Sequence, residues 1–161
     1  MIRHIWSVLC ARAVIDRTTN NISLFEVIEG GQITTNMQLQ FPANVPFEAT
    51  LVSFWARQDP TKAVTGQMKI RILGPKGEQL IEGTSSIDLQ NNGRTRVLSQ
   101  FNGMRTGGNG VHEFQVSWRI GDKEAWNLVA SVPLELTFVV ESGGVTETGA
   151  SVAPVAPALK Q

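Results

Sequence analysis

The chain has 161 residues, and its 14 basic and 14 acidic side chains give a formal net charge of zero. Neutrality provides no long-range attraction to nucleic acid or to an anionic membrane, so we expect neither as a partner. This length supplies one domain whose core needs no disulfide or metal, and the single cysteine has no internal partner. We therefore expect no cofactor.

The N-terminal residues resemble an export signal only superficially. Arg3 and His4 precede six apolar-leaning residues, Ile5 to Cys10. A signal core needs about 7–15 apolar residues, and a membrane span needs about 18. We therefore expect a first strand here, and a cytoplasmic protein.

The first third of the chain predicts an antiparallel pair of strands. Residues Ile2–Asp16 alternate in polarity, and the turn cluster Arg17–Asn21 separates them from a second strand, Ile22–Glu29. Gly30 and Gly31 then indicate a bulge or a strand end.

The next strand differs from the others because both of its faces are apolar. Two prolines make Phe41–Pro46 a connector, and Phe47–Gln58 follows as the strand itself. A strand that is apolar on both faces is either central in its sheet or at an edge that contacts a partner. If a helix exists, we expect one short turn around Asp59–Val64.

The middle of the chain predicts two hairpins. One joins Gly66–Leu73 to Glu78–Glu82 through a Gly-Pro-Lys-Gly turn. The other joins Ser85–Leu89 to Arg94–Phe101 through Asn-Asn-Gly, which is typical of a two-residue hairpin turn.

The last third combines a glycine-rich loop with three strands. The loop is Gly103–Gly110, which we expect to be a long, flexible hairpin connection, and the alternating strand Gly110–Ile120 follows it. Ala125–Val132 and Leu134–Val140 complete the sheets, and Pro133 between them indicates a kinked edge or a crossing between sheets.

These elements predict an all-β domain over residues 1–141. We expect a single antiparallel β-sandwich of about seven to nine strands, of the immunoglobulin-like or C2-like type. Residues 142–161 contain no aromatic side chain and little core-forming bulk, so we expect a disordered tail there.

The sequence offers no constellation typical of catalysis or metal binding. His4 and Cys10 share a strand face but lie about 20 Å apart at strand rise, too far to hold one ion. His112 belongs to another strand, so a Cys10–His112 pair would require the two strands to adjoin. We therefore expect neither a metal site nor an enzyme.

The glycine-rich loop supports one alternative function. Such loops hold phosphates when they lead into a helix, whereas this loop leads into a strand. Nearby arginines still favour a small anionic ligand as an alternative. The residues of this hypothetical site are Arg94, Arg96, Arg105, Gly107, Gly108 and Asn109.

The leading hypothesis is a non-enzymatic binding or assembly module that acts through protein–protein contacts. Its partner would be another protein or a second copy of the chain. Trp55 and Trp126 are the candidate contact residues, since an exposed tryptophan marks a contact surface. The strand Phe47–Gln58 would pair with another chain if it lay at an edge.

Three segments carry a resemblance to a known family: VLCARAVIDRTTNNISLFEVIE, RILGPKGEQL and FNGMRTGGNGVHEFQVSW. Their order is similar to that of an uncharacterised bacterial family of short β-sandwich proteins. The resemblance implies the fold and an intracellular bacterial setting. It implies no catalytic residues.

Overall fold

A computed structural model describes residues 1–141, so the expected tail, 142–161, lies outside the described residues. Strands alternate with short turns throughout this range, and no helix occurs in it. These residues therefore contain no helix that is long and apolar enough to cross a membrane. The nine strands are β1 (Ile2–Ile15), β2 (Ile22–Val27), β3 (Gly30–Thr35), β4 (Ala43–Arg57), β5 (Val64–Leu73), β6 (Gln79–Leu89), β7 (Arg94–Thr106), β8 (Gly110–Arg119) and β9 (Asn127–Val140). The all-β prediction is confirmed, while the immunoglobulin-like or C2-like type stays a prediction.

One sheet, sheet A, contains four antiparallel strands in the order β2-β1-β4-β7. β4 pairs with β1 on one side and with β7 on the other, so the strand with two apolar faces is central. Our alternative expectation, that this strand lies at an edge and pairs with another chain, is wrong, because both of its backbone edges are already used.

The other sheet, sheet B, has the order β3-β9-β8-β5-β6 and curls into a half-barrel. Its edge strand β3 runs parallel to β9, so the expectation of purely antiparallel pairing is wrong. The sequence analysis missed β3 because Gly30-Gly31 reads as a strand end. The two glycines instead begin a strand that pairs with Glu135 and Leu136.

Two prolines lie inside strands that we expected them to interrupt. Pro46 belongs to β4 and falls within the register shift between Val45 and Glu48, where ladder bonding is already irregular. Pro133 belongs to a continuous β9. Since β3 opposes β9 only from Glu135 onward, Pro133 has one neighbouring strand instead of two.

Two connections that we predicted as hairpins instead cross between the sheets. Residues 90–93 lead from β6 in sheet B to β7 in sheet A, and residues 107–109 lead from β7 back to β8 in sheet B. The glycine-rich loop is accordingly shorter than expected, because β7 continues to Thr106.

The core lies between the two sheets and draws on both. Leu9, Leu51 and Trp55 of sheet A are fully buried, as are Phe114 and Leu136 of sheet B. Burying large apolar side chains of this kind stabilises a fold by about 1.5–3 kcal/mol each. Packing of this core fixes the positions of the long strands. The connections 90–93 and 107–109 therefore lie at opposite ends of β7.

Candidate functional site

The structure separates the arginines that we expected to form one basic patch. Arg94 and Arg96 begin β7, whereas Arg105 lies near its other end. Arg94 and Arg105 are eleven positions apart, which is about 36 Å at a rise of about 3.3 Å per residue. Arg105 therefore lies beside the glycine-rich connection, and the other two arginines do not.

The glycine loop, Gly107–Asn109, is fastened to its surroundings. Gly108 has a φ of 114°, a left-handed conformation that favours glycine, and it packs against the ring of Phe41. The side-chain Oδ1 of Asn109 accepts a hydrogen bond of 2.6 Å from the backbone N–H of Phe138. Two of the three residues of the glycine loop thus have structural roles.

His112 lies beneath this loop and is fully buried. Its Nε2 accepts hydrogen bonds from the Thr106 hydroxyl at 2.8 Å and from the Gly107 N–H at 3.3 Å. These partners leave Nδ1 as the donor to the Gly110 carbonyl at 3.2 Å. Burial lowers the pKa of His112 from its ordinary value of 6.5, which keeps the ring neutral and its hydrogen bonds intact.

A carboxylate occupies the space where an anion would approach the glycine loop. Glu78, at the start of the return arm after β5, places its Oε1 directly against Gly107. Its Oε2 accepts a hydrogen bond of 2.9 Å from the backbone N–H of Lys76. A second anion here would meet a negative charge, so the geometry of the glycine loop does not favour an anion site.

Cys10, the other side chain with possible chemistry, lies in the opposite sheet from His112. Cys10 is fully buried in sheet A, where its Sγ donates to the Thr50 carbonyl at 3.5 Å, while His112 belongs to sheet B. Burial raises the pKa of the Cys10 thiol above its usual 9.0, which opposes formation of the nucleophilic thiolate. Within residues 1–141, no group of three or more His, Cys, Asp or Glu could hold a metal ion.

The two candidate contact tryptophans have different environments. Trp55 is fully buried in the core, so our expectation that its side chain is exposed is wrong. Trp126 is half-buried between two cations, with its ring 4.6 Å from Lys69 Nζ and 4.4 Å from the Arg119 guanidinium. The Trp126 ring thus already contacts two cationic side chains, and its role as a partner contact stays a prediction.

A different cavity gathers arginines that the sequence analysis did not connect. It has a volume of about 460 Å³ and is lined by Arg3, Arg57 and Arg94. Strand pairing brings two of these arginines close together, because Ala56 of β4 is opposite Arg3 of β1 on one side and Arg94 of β7 on the other. We call this cavity the arginine pocket.

The arginine pocket combines positive charge with apolar surface. Its apolar lining is Ile5, Phe54, Ala56 and Pro60, and no acidic residue lines it. The ion pairs within residues 1–141 are Lys62–Asp59, Lys69–Glu82 and Arg119–Asp122, so none of them neutralises a pocket arginine. The Nε of Arg57 is buried and has no hydrogen-bond partner in the same range.

Arg96 lies next to the pocket but is already engaged. Its guanidinium is 5.3 Å from the Phe54 ring centre, and it donates to Asn20 Oδ1 at 3.3 Å and to the Asn20 carbonyl at 2.9 Å. Asn20 is at the tip of the β1–β2 hairpin, which therefore reaches over β7. Arg96 fastens this hairpin, and Arg94 faces the pocket.

The β1–β2 hairpin presents the second notable surface. After Cys10, which pairs with both β2 and β4, β1 continues in register with β2 alone. Four of the twelve exposed large apolar side chains in residues 1–141 lie on this hairpin: Val14, Ile15, Phe25 and Val27. The Arg12 guanidinium lies 4.8 Å from the Phe25 ring centre. By this register, Arg12, Val14, Phe25 and Val27 lie on one face of the hairpin and Ile15 on the other, and we call the first four the hairpin surface.

Sequence reasoning missed Arg3 and Arg57 as site residues for a definable reason. They are 54 positions apart, and Arg94 is a further 37 away, so no local pattern unites them. The available signal was the predicted central strand, since a residue in it has neighbours on two sides.

No model of a known protein family matches the chain, and no curated protein matches it.

Proposed function

We propose that the protein is a non-enzymatic assembly module, and that the hairpin surface binds a second copy of the same chain. The observation that carries this proposal is the concentration of exposed apolar side chains on one hairpin. An apolar patch of this kind is typical of a protein–protein contact, because leaving it in water is unfavourable. The proposal replaces β4 with β2 as the strand that offers an edge.

The edge of β2 supports a symmetric contact. Among the strands of residues 1–141, β2 pairs with β1 alone, so no other strand in this range hydrogen-bonds to its outer side. Glu26 has a φ of 54°, so the backbone is irregular between Phe25 and Val27, and Ile22–Phe25 is the regular part of this edge. A two-fold axis beside this segment would bring the same strand from two copies together in antiparallel fashion.

The distribution of charge also favours a second copy over a partner whose surface is entirely positive or entirely negative. From Cys10 to Val27 the hairpin carries Arg12, Arg17, Asp16 and Glu26, which are two basic and two acidic residues. A surface of mixed and balanced charge is self-complementary when it meets itself in the opposite direction. The zero formal charge of the chain likewise adds no net repulsion between copies.

We further propose the cytoplasm of a bacterial cell as its location. The buried, unpaired thiol of Cys10 is consistent with a reducing compartment.

The test is the mass of the purified chain by light scattering over a range of concentrations. We expect a dimer, and we expect Val27→Asp to shift it to monomer because a charge replaces an apolar contact. The matched control is Val111→Asp, since Val111 is 48% exposed and Val27 is 58% exposed, on different sheets. A monomeric parent chain, or a dimer that survives Val27→Asp, would contradict the proposal, even if a different protein were found to bind the hairpin.

A further inference from the structure

We propose that the arginine pocket binds a small organic anion, with its oxyanion group held by Arg3, Arg57 and Arg94 and its apolar part against Ile5, Phe54 and Pro60. This inference is independent of the assembly proposed above. It uses different residues and assigns a ligand, not a partner chain.

The positive charge of the pocket has no counter-charge. Arg3 and Arg94 flank Ala56 in adjacent strands, so their Cα atoms are about 10 Å apart at strand spacings of about 4.8 Å. The two guanidiniums repel each other weakly, and a bound anion would reverse that effect. Ala56 between them is small, which leaves room over the middle strand for a ligand.

Arginine is suited to this task because its planar guanidinium donates two parallel hydrogen bonds to an oxyanion. Arg57 adds a third arginine to the lining of the same cavity. Its location at the end of β4, where Gly93 O accepts from the Arg57 N–H at 2.9 Å, holds this arginine at the rim of the cavity.

The size and lining of the cavity indicate more than a bare inorganic ion. Its volume of about 460 Å³ is within the range of about 300–1,000 Å³ that is typical of small-molecule pockets. Ile5, Phe54 and Pro60 offer apolar contacts beside the guanidiniums. We therefore expect an aryl or alkyl phosphate to bind more tightly than inorganic phosphate.

The experiment is calorimetric titration of the full chain with phenyl phosphate, inorganic phosphate and phenol at constant ionic strength. We expect phenyl phosphate to bind more tightly than inorganic phosphate and phenol not to bind. Phenyl phosphate should also raise the melting temperature, because it stabilises only the folded chain. Equal binding of phenol and phenyl phosphate would overturn the proposal, as would inorganic phosphate binding as tightly as phenyl phosphate.

Variants test the assigned residues. Arg3 and Arg94 are exposed, so the double substitution Arg3→Gln, Arg94→Gln should fold, and it should weaken phenyl phosphate binding roughly tenfold or more. Arg94→Lys should be intermediate, because lysine keeps the charge but loses the planar fork. The matched control is Arg105→Gln at the opposite end of β7, which should bind like the parent chain. Unchanged affinity in the double variant, or loss in Arg105→Gln, would overturn the assignment.

Discussion

The glycine loop and the arginine pocket are at opposite ends of β7, and they differ in how their polar groups are satisfied. At the glycine loop, Asn109, His112 and Glu78 all have partners within the protein. At the arginine pocket, three arginines line a cavity that no acidic residue lines. The glycines of the loop therefore reflect a backbone conformation that other residues avoid, whereas uncompensated charge around a cavity identifies a place for a ligand.

The largest effect should come from removing the histidine that organises the glycine loop. His112→Ala removes the ring that hydrogen-bonds Thr106, the Gly107 N–H and the Gly110 carbonyl, and it creates a cavity, so we expect a loss of about 3 kcal/mol of unfolding free energy. Urea denaturation measures this. Val111→Ala, next to it but exposed, should change stability by less than about 0.5 kcal/mol. A loss below about 1 kcal/mol for His112→Ala would show that the loop does not depend on this network.

A smaller effect should follow from a methyl group on the glycine loop. Gly108→Ala puts a side chain on a residue with a φ of 114° and places its Cβ 3.2 Å from the Phe41 ring, so we expect a loss of about 1–2 kcal/mol. The matched control is Gly83→Ala in β6, where a Cβ would meet no atom within 4 Å. If both variants proved equally stable in urea, the left-handed conformation of Gly108 would not constrain the loop.

At the other end of β7, Arg96 should affect local motion more than global stability. Arg96→Ala removes both hydrogen bonds to Asn20, which are at the exposed hairpin tip. We expect faster amide hydrogen exchange in residues 16–21 and little change in the urea midpoint. Arg94→Ala is the control, since its side chain makes no hydrogen bond in the described part of the chain. Unchanged exchange in Arg96→Ala would mean that other contacts hold the hairpin over β7.

The most gradual effect should be a dependence of stability on pH. Burial lowers the pKa of both His4 and His112 below the ordinary 6.5, so the unfolded chain binds more protons than the folded chain in this range. The contribution of the two neutral histidines to the free energy of unfolding is therefore fully present above about pH 6.5. It is lost as the pH falls through their lowered folded-state pKa. Urea midpoints between about pH 7.5 and about pH 5 should show this decline, and His4→Gln should reduce its slope. A midpoint that rises as the pH falls would contradict the sign.

Alternating polarity was enough to predict most strands, including β1, β5 and β8, because a strand with one buried face repeats every two residues. It did not predict β3, whose two glycines and short length carry no such pattern. The pairs β1–β2 and β5–β6 were predicted correctly, because a short turn joins their strands. How such pairs are divided between the two sheets was not predicted. For that reason the connections after β6 and β7 were predicted as hairpins, although both cross between sheets.

The candidate site was harder to predict than the fold. Arg94 was identified as a ligand-binding candidate, but it was grouped with Arg105, its neighbour in sequence, instead of Arg3 and Arg57, its neighbours across the sheet. Cross-strand pairing depends on sheet order and register, which follow from packing of the whole core and not from local residue preferences. Burial of Trp55 was missed for a related reason, since its side chain is covered by packing in the core between the two sheets.

The contrast between the two ends of β7 is tested most directly by following backbone amide signals in NMR spectra during titration with phenyl phosphate. Our account predicts that the amides of Arg3, Gly93 and Arg94 shift progressively while those of Gly107–Asn109 stay in place. Shifts confined to Gly107–Asn109 would contradict it, because the anion would then bind beside Glu78 and not among the three arginines.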